Sequence, residues 1–185
     1  MKGGAHLSRI YSFPPIIDER ARVLIAGTAP SVKSLEHGQF YGHPQNFFWR
    51  IMYGLFGEKE PGQIEYPAPD PVYENRIAFI QQHGVALWDI IGSCEREGSL
   101  DANIKEEIPN DFPGLLAQYP GIRCIAFNGG KAFDTFRKAF GKHPAFAHIA
   151  KLKLPSSSPI PTKHMRNLED RIGAWRVIVP YTEES

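Results

Sequence analysis

Four short strand-like stretches, each followed within a few residues by glycine, proline or asparagine, constrain this chain more tightly than any other feature. Arg22 to Ala26 is a β-branched run closed by Gly27 and Pro30. Gly84 to Asp89 and Ile122 to Phe127 repeat the pattern, the latter ended by Asn128-Gly129-Gly130. Ala145 to Leu154 gives a fourth run, followed by Pro155-Ser156-Ser157-Ser158-Pro159. Short apolar runs bounded by turn residues read as buried strands. Between them the spacing is helical. Phe48, Ile51, Met52 and Leu55 follow a helix opened near Pro44 and stopped by Gly57; Val72 to Gln82, another helix that closes over Leu115 to Tyr119, and Lys131 to Phe140 follow. A last helix is expected from Thr162, as N-cap, to about Val177. Pro61 to Pro71 and the polar stretch 92–110 read as loop, the latter with a short helix.

Strands alternating with helices predict an α/β fold: a three-layer α/β/α sandwich around a central, mainly parallel four-stranded sheet. At 185 residues the chain suits one domain over 1–185, with an irregular lead-in over 1–20 broken by Pro14-Pro15. Ligands in such sheets sit at the C-terminal ends of the strands. The unusual segments fall there: Gly27 to Asn46, Trp88-Asp89, Asn128-Gly129-Gly130 and Pro155 to Pro159.

Composition narrows the partners. No apolar run approaches the ~20 residues of a membrane span, and the N-terminus lacks the apolar segment of a secretory leader, so no membrane association is expected. Cys94 and Cys124 are too few for a disulfide framework or a cysteine-ligated cluster, so a reducing, cytoplasmic setting with no metal and no cofactor is expected. With 21 basic and 20 acidic residues the net charge is +1, which argues against a protein that coats DNA but not against one that grips a few phosphates. The last third, with Lys131, Lys151, Lys153, Lys163, Arg166 and Arg171, is more basic, as an ordinary solvated surface also is.

The loop after the first strand carries the most chemistry. Gly27-Thr28-Ala29-Pro30-Ser31 can turn backbone N–H groups toward an anion. Phe40 and Tyr41 offer faces for a planar ring, or pack inward as core, and Asn46 offers an amide to a water or a sugar. Separately, Asp89 fits a helix cap, Asn128-Gly129 a turn and the Ser/Pro run a plain loop. Their order at the ends of successive strands is what gives them weight.

Two segments, Gly27-Thr28-Ala29-Pro30 and His43-Pro44-Gln45-Asn46-Phe47-Phe48-Trp49, resemble the first motif of the uracil-DNA glycosylase superfamily, especially its mismatch-specific branch. Ala29 departs from the water-positioning Asn or Asp of most branches. With Asn46 downstream, it is similar to the hypoxanthine-DNA (deoxyinosine) glycosylase branch. Gly84 to Asp89 resembles the strand whose last residue reads the flipped base. Phe127-Asn128-Gly129 with Lys131 resembles the next strand–helix junction, and Leu154 to Pro159 the loop that pinches the DNA backbone and fills the vacated stack.

The resemblance implies a monomeric repair enzyme that flips a deaminated base, hypoxanthine first among them, from DNA and hydrolyses its N-glycosidic bond. It assigns Asn46 to the attacking water. Tyr41, Phe40, Asp89, Thr28 and Asn128 go to the base, and Ser31, Ser156, Ser157, Ser158, Pro159, His164 and Arg166 to DNA, with Pro159 or Ile160 nearest the gap. No lysine matches a nucleophile position, so no Schiff base is expected. An ionised Asp89 would accept from hypoxanthine N1–H and repel the N1 lone pair of adenine. A uracil or G/T(U)-mismatch glycosylase is the alternative within the family. Outside it stand a nucleotide-binding module, against which the missing Gly-x-x-x-x-Gly-Lys-Ser/Thr loop weighs, and a hydrolase of free nucleosides. The latter needs neither the Ser/Pro loop nor salt-sensitive retention on DNA.

Overall fold

The computed structural model describes residues 9–183. Its core is a four-stranded, wholly parallel sheet. The strands are β2 (Val23–Gly27), β3 (Val85–Asp89), β6 (Cys124–Asn128) and β7 (Ala150–Leu154), in the order β3-β2-β6-β7. Successive residues of a strand point to opposite faces, and β2 shows the consequence. Val23 and Ile25 pack on one face with Phe48, Ile51, Met52, Ile80, Ile172 and Trp175. Leu24 and Ala26 pack on the other with Phe112, Leu115, Ala132 and Phe136. The first layer is built by α2 (Phe48–Phe56), α3 (Tyr73–Gln82) and α6 (Leu168–Trp175), the second by α4 (Phe112–Gln118) and α5 (Gly130–Phe140). The expected three-layer α/β/α architecture is what forms.

Several expectations need correction. The stretch 92–110 is not mainly loop. β4 (Ile91–Glu95) and β5 (Lys105–Pro109) form a hairpin, and β1 (Arg9–Tyr11) pairs with β4 to make a second, antiparallel sheet. Lys-Glu-Glu in β5 is poor strand sequence; pairing and an exposed, charged edge position override it. The lead-in expected over 1–20 is thus not wholly irregular, and Ile16 also bridges to Leu87; residues 1–8 lie outside the described residues. A short helix, α1 (Val32–His37), was missed. Ser31 caps it by accepting from the Ser34 N–H, and Gly38 ends it at φ 62°. The run Ala145 to Leu154 yields a strand only from Ala150, because His143 caps a turn over Pro144–Phe146. The last helix starts at Leu168. Asn167, whose side chain accepts from the Asp170 N–H, is its cap, whereas the Thr162 hydroxyl accepts from Met165 N–H in a separate turn. A short C-terminal helix, α7 (Val179–Thr182), closes the described chain. Among the described residues no helix is long and apolar enough to cross a membrane.

The junction from β3 to β4 sets the site. As the chain leaves the central sheet, Ile90 and Ile91 N–H donate to Gly27 and Thr28 carbonyls at 2.8 and 3.1 Å. The Asn110 amide donates to the Asp89 carbonyl at 2.7 Å and to Ser12 Oγ at 2.9 Å. Asn110→Ala leaves that carbonyl without its partner and is expected to destabilise the fold by about 1–3 kcal/mol. Urea unfolding of the purified variant measures this; an unchanged midpoint and slope would show that the clamp contributes nothing.

Candidate active site

A cleft of about 130 Å³ opens at the C-terminal ends of the parallel strands. Gly27 to Ser31 leave β2, Asp89 ends β3, Asn128 ends β6, and Ser156 and Ser157 follow β7; all line it. Phe40, Tyr41 and Asn46 complete the wall from the connection between α1 and α2. Of the residues expected at the site, Asn46, Tyr41, Phe40, Asp89, Thr28, Asn128, Ser31, Ser156 and Ser157 are brought together here. Ser158 and Pro159 lie further along the same loop, and His164 and Arg166 stand exposed on the approach to α6.

Asp89 is 4% exposed. Its Oδ1 occupies the space a side chain at Gly27 would need, 2.6 Å from an ideal Cβ there. Burial, then the charge of Asp101, pushes its carboxyl up to about 7, opposed by Arg96. Tyr41 holds an unusual backbone, φ 53°, and its ring stacks on Phe48 at 4.0 Å. Burial, then the Asp89 charge, holds its phenol protonated well above the usual range, while Asn128 hydrogen-bonds it. Asn128 is committed further: its Nδ2 donates to Ser157 Oγ at 2.9 Å and its Oδ1 accepts from Ser157 N–H at 2.8 Å. Ser157 is therefore a buried pin between β6 and the Ser/Pro loop. Asn46 Oδ1 accepts from Phe48 N–H at 2.9 Å, and that backbone donor fixes which end of the amide is oxygen.

The Ser/Pro loop is fastened from below. Trp175 Nε1 donates to the Pro155 carbonyl at 2.9 Å, and Phe47 N–H to the Ser157 carbonyl at 2.9 Å. Arg171, 1% exposed, donates to the Ser158 carbonyl at 3.0 Å and the Ile160 carbonyl at 3.4 Å, with its guanidinium 4.2 Å from the Phe47 ring centre. Ile160 is left 68% exposed at the tip.

A family model for the uracil DNA glycosylase superfamily matches residues 14–178. The chain belongs to that superfamily. This makes it a DNA glycosylase, an enzyme that hydrolyses N-glycosidic bonds. It is similar to a hypoxanthine DNA glycosylase from Methanosarcina acetivorans, 34% identical over 168 residues, which cover 90% of this chain and 95% of that protein. A hypoxanthine DNA glycosylase from Methanosarcina barkeri is 33% identical over 165 residues, 88% of this chain and 93% of that one. Its fold is similar to a solution NMR structure from M. acetivorans described as a candidate uracil DNA glycosylase. That match has a TM-score of 0.71 and 31% identity, and covers 96% of this chain and 100% of the other.

Sequence reasoning missed Phe13 and Asp101, which also line the cleft, and the loop anchors Arg171 and Trp175. Asp101 lay in a stretch read as loop, where only Gly98, now a turn at φ 70°, marked a hairpin. The crowding at Gly27 gives a test. Gly27→Ala sets a methyl against Asp89 Oδ1 and 3.1 Å from the Tyr41 hydroxyl. The variant is expected to fold and bind DNA but to lose base excision by roughly 10²-fold, the cost of misplacing a reacting group by about 1 Å. Single-turnover excision and DNA titration check this; a wild-type rate would show that the Gly27–Asp89 approach is irrelevant to the chemistry.

Proposed function

We propose that the protein is a single-domain, monomeric DNA-deoxyinosine glycosylase. It takes hypoxanthine from DNA into the cleft and hydrolyses its N-glycosidic bond, leaving an abasic site. The observation that carries the reading is Asp89, a carboxyl buried at the floor of a small cleft at the strand ends; the likeness to two hypoxanthine DNA glycosylases supports it. Free, buried Cys94 and Cys124 fit a reducing cytoplasm, and the reaction needs no cofactor.

Hypoxanthine presents N1–H as donor and O6 as acceptor. A protonated Asp89 matches both, accepting from N1–H and donating to O6. Negative charge gathers on the base as the bond breaks, so a donor at O6 strengthens its interaction in the transition state. An ionised Asp89 still accepts from N1–H but opposes the departing anion. Adenine reverses the pattern, and only the ionised carboxylate repels its N1. With a carboxyl held up to about 7, both forms exist near neutrality. Uracil shares the N–H/C=O edge of hypoxanthine, so uracil is the second substrate to test.

Tyr41 and Phe40 stack on the extruded ring, which recovers part of the unstacking cost. Asn46 keeps a water in place, and Thr28 faces the sugar side. On the DNA surface, the hydroxyls of Ser156 and Ser158, whose oxygens accept from Ser158 and Ile160 N–H and whose protons can still be donated, and the side chains of His164 and Arg166 meet phosphates. Ser31 and Ser157 contribute through the backbone they pin. Ile160, rather than Pro159, fills the vacated stack.

Oligonucleotides carrying one deoxyinosine, deoxyuridine, deoxyxanthosine or G/T mismatch, cut by alkali after reaction, test the substrate. Hypoxanthine excision is expected to lead; its absence beside ready uracil excision would overturn the assignment. Asp89 supplies a second test. Its pKa is raised, so the proton is present below about 7 and lost above it. Single-turnover excision of hypoxanthine should therefore fall as pH rises through 7, while its ratio to adenine excision rises. Asp89→Asn, which keeps a donor and an acceptor but does not titrate, should lose both dependences. A wild-type rate that stays flat or climbs through pH 7 would remove the protonated carboxyl from the mechanism.

A further inference from the structure

The β4–β5 hairpin brings a second carboxylate into the cleft. Asp101 sits in the turn of the hairpin, half-buried, beside Thr28 and within the electrostatic reach of Arg96 and Lys131. Its placement is built rather than incidental. Ser99 Oγ accepts from Val32 N–H at 2.8 Å. Arg96, 4% exposed, donates through Nε to the Gly98 carbonyl at 2.7 Å and through Nη2 to the Pro30 carbonyl at 2.5 Å. These bonds lash the hairpin to the loop after β2. The remaining guanidinium nitrogen, Nη1, is buried without a hydrogen-bond partner. An unsatisfied buried donor is costly, and the anionic groups that feel this guanidinium in the cleft are Asp89 and Asp101.

The other polar groups of the cleft are tied to the protein or cannot take a proton. Ala29 carries only a methyl. Asn128 is locked to Ser157, Asn46 Oδ1 is held by Phe48 N–H, and an amide is no base. Asp89, at the strand end, faces the base. A water attacking the sugar needs a group that can take its proton, and Asp101 is what the cleft has left.

We propose that Asp101 is a second catalytic carboxylate, which orients the attacking water and accepts its proton. The inference rests on the reading of the cleft as a base-excision site. The water oxygen bonds to C1′ of the deoxyribose as the C1′–N bond breaks, its electron pair leaving with the base. The water proton passes to Asp101, which later returns it to solvent, and the base anion is protonated by Asp89 or solvent. Two carboxyl groups whose surroundings separate their titrations divide acid and base work. Burial pushes the Asp101 carboxyl above the ordinary carboxylate range, opposed by Arg96, Lys131 and a hydrogen bond from Thr28, and its charge is in turn among the causes that raise Asp89.

The test is single-turnover excision by the full chain from oligonucleotides carrying hypoxanthine, uracil or xanthine, across a pH series. The wild type excising any of these bases establishes the base-excision reading without reference to Asp101. On whichever base it removes, Asp101→Asn should lower the rate by roughly 10²–10⁴-fold, the range for a lost general base. Affinity for lesion DNA and the thermal unfolding midpoint should stay near wild type. The low-pH limb of the rate profile should vanish, and the high-pH limb should move to lower pH, because the charge that raises Asp89 is gone. Asp101→Glu, which keeps the carboxylate, should recover part of the rate and the low-pH limb, and serves if the Asn variant is unstable. An Asp101→Asn rate close to wild type, or a loss matched by lost binding, would overturn the assignment while leaving the base-excision reading intact. A wild type that excises none of the bases would overturn both.

Discussion

A buried carboxyl can sit at the mouth of a parallel sheet only if a neighbouring strand yields the space. Gly27 and Asp89 are partners in the β2–β3 register, and the Asp89 oxygen lies where a side chain on Gly27 would be. Burial makes that group a weak acid, and the rest of the cleft is arranged around this property. Among the described residues no hydrogen bond contributes to its shift, which burial and the Asp101 charge bring about. Tyr41, whose phenol feels the Asp89 charge, is itself fixed by Phe48 and Asn128. Removing the proton from Asp89 thus changes the potential over the whole floor of the cleft at once.

The loops that surround this floor are held by two buried arginines. Arg96 ties the β4–β5 hairpin to Pro30, and Arg171 ties the Ser/Pro loop to α6. Among the described residues neither forms a salt bridge; both spend their donors on backbone carbonyls. A guanidinium offers five N–H donors in a rigid fork, so one side chain can fix several points of an irregular loop that no sheet or helix ladder could satisfy. Each also leaves one buried nitrogen unpaired, Nη1 of Arg96 and Nε of Arg171. The two differ in setting. Arg96 shares its surroundings with the carboxylates of the cleft, whereas Arg171 lies over an aromatic ring away from it. One arginine therefore acts on charge in the cleft, and the other acts on the shape of the Ser/Pro loop.

The central sheet was legible because β2, β3 and β6 are nearly continuous apolar runs buried on both faces, as a parallel α/β core requires, while β7, at the sheet edge, alternates as Ala-Lys-Leu-Lys-Leu. The loops after them were legible for a related reason: Gly27-Thr28-Ala29-Pro30 and Pro155 to Pro159 cannot continue any regular element. The small antiparallel sheet was not. Ile91–Glu95 and Lys105–Pro109 show no clear alternation, and the third strand, β1, reaches β4 from far along the chain, as Arg9 with Ser93 shows. Asp101 and Arg96 were hidden with them. Arg171 looked like one more charge in a basic segment, since its burial is decided by carbonyls of a loop at least eleven residues away. Ser157 and Asn128 were placed at the site, but sequence could not show that they would occupy each other.

These commitments bear on where catalysis can come from. Amides and hydroxyls in this cleft are largely paired with the protein, so they fix geometry but have little left to offer a reacting atom. The groups with uncommitted capacity are the two carboxyls. They stand on different supports: Asp89 on the rigid end of a central strand, Asp101 on a hairpin turn lashed by one arginine. Recognition of a base edge demands a fixed position, and the strand end provides it. On the proposed assignment, the group that reads the base stands on the central parallel sheet and the group that takes the water proton on the hairpin of the second, antiparallel sheet.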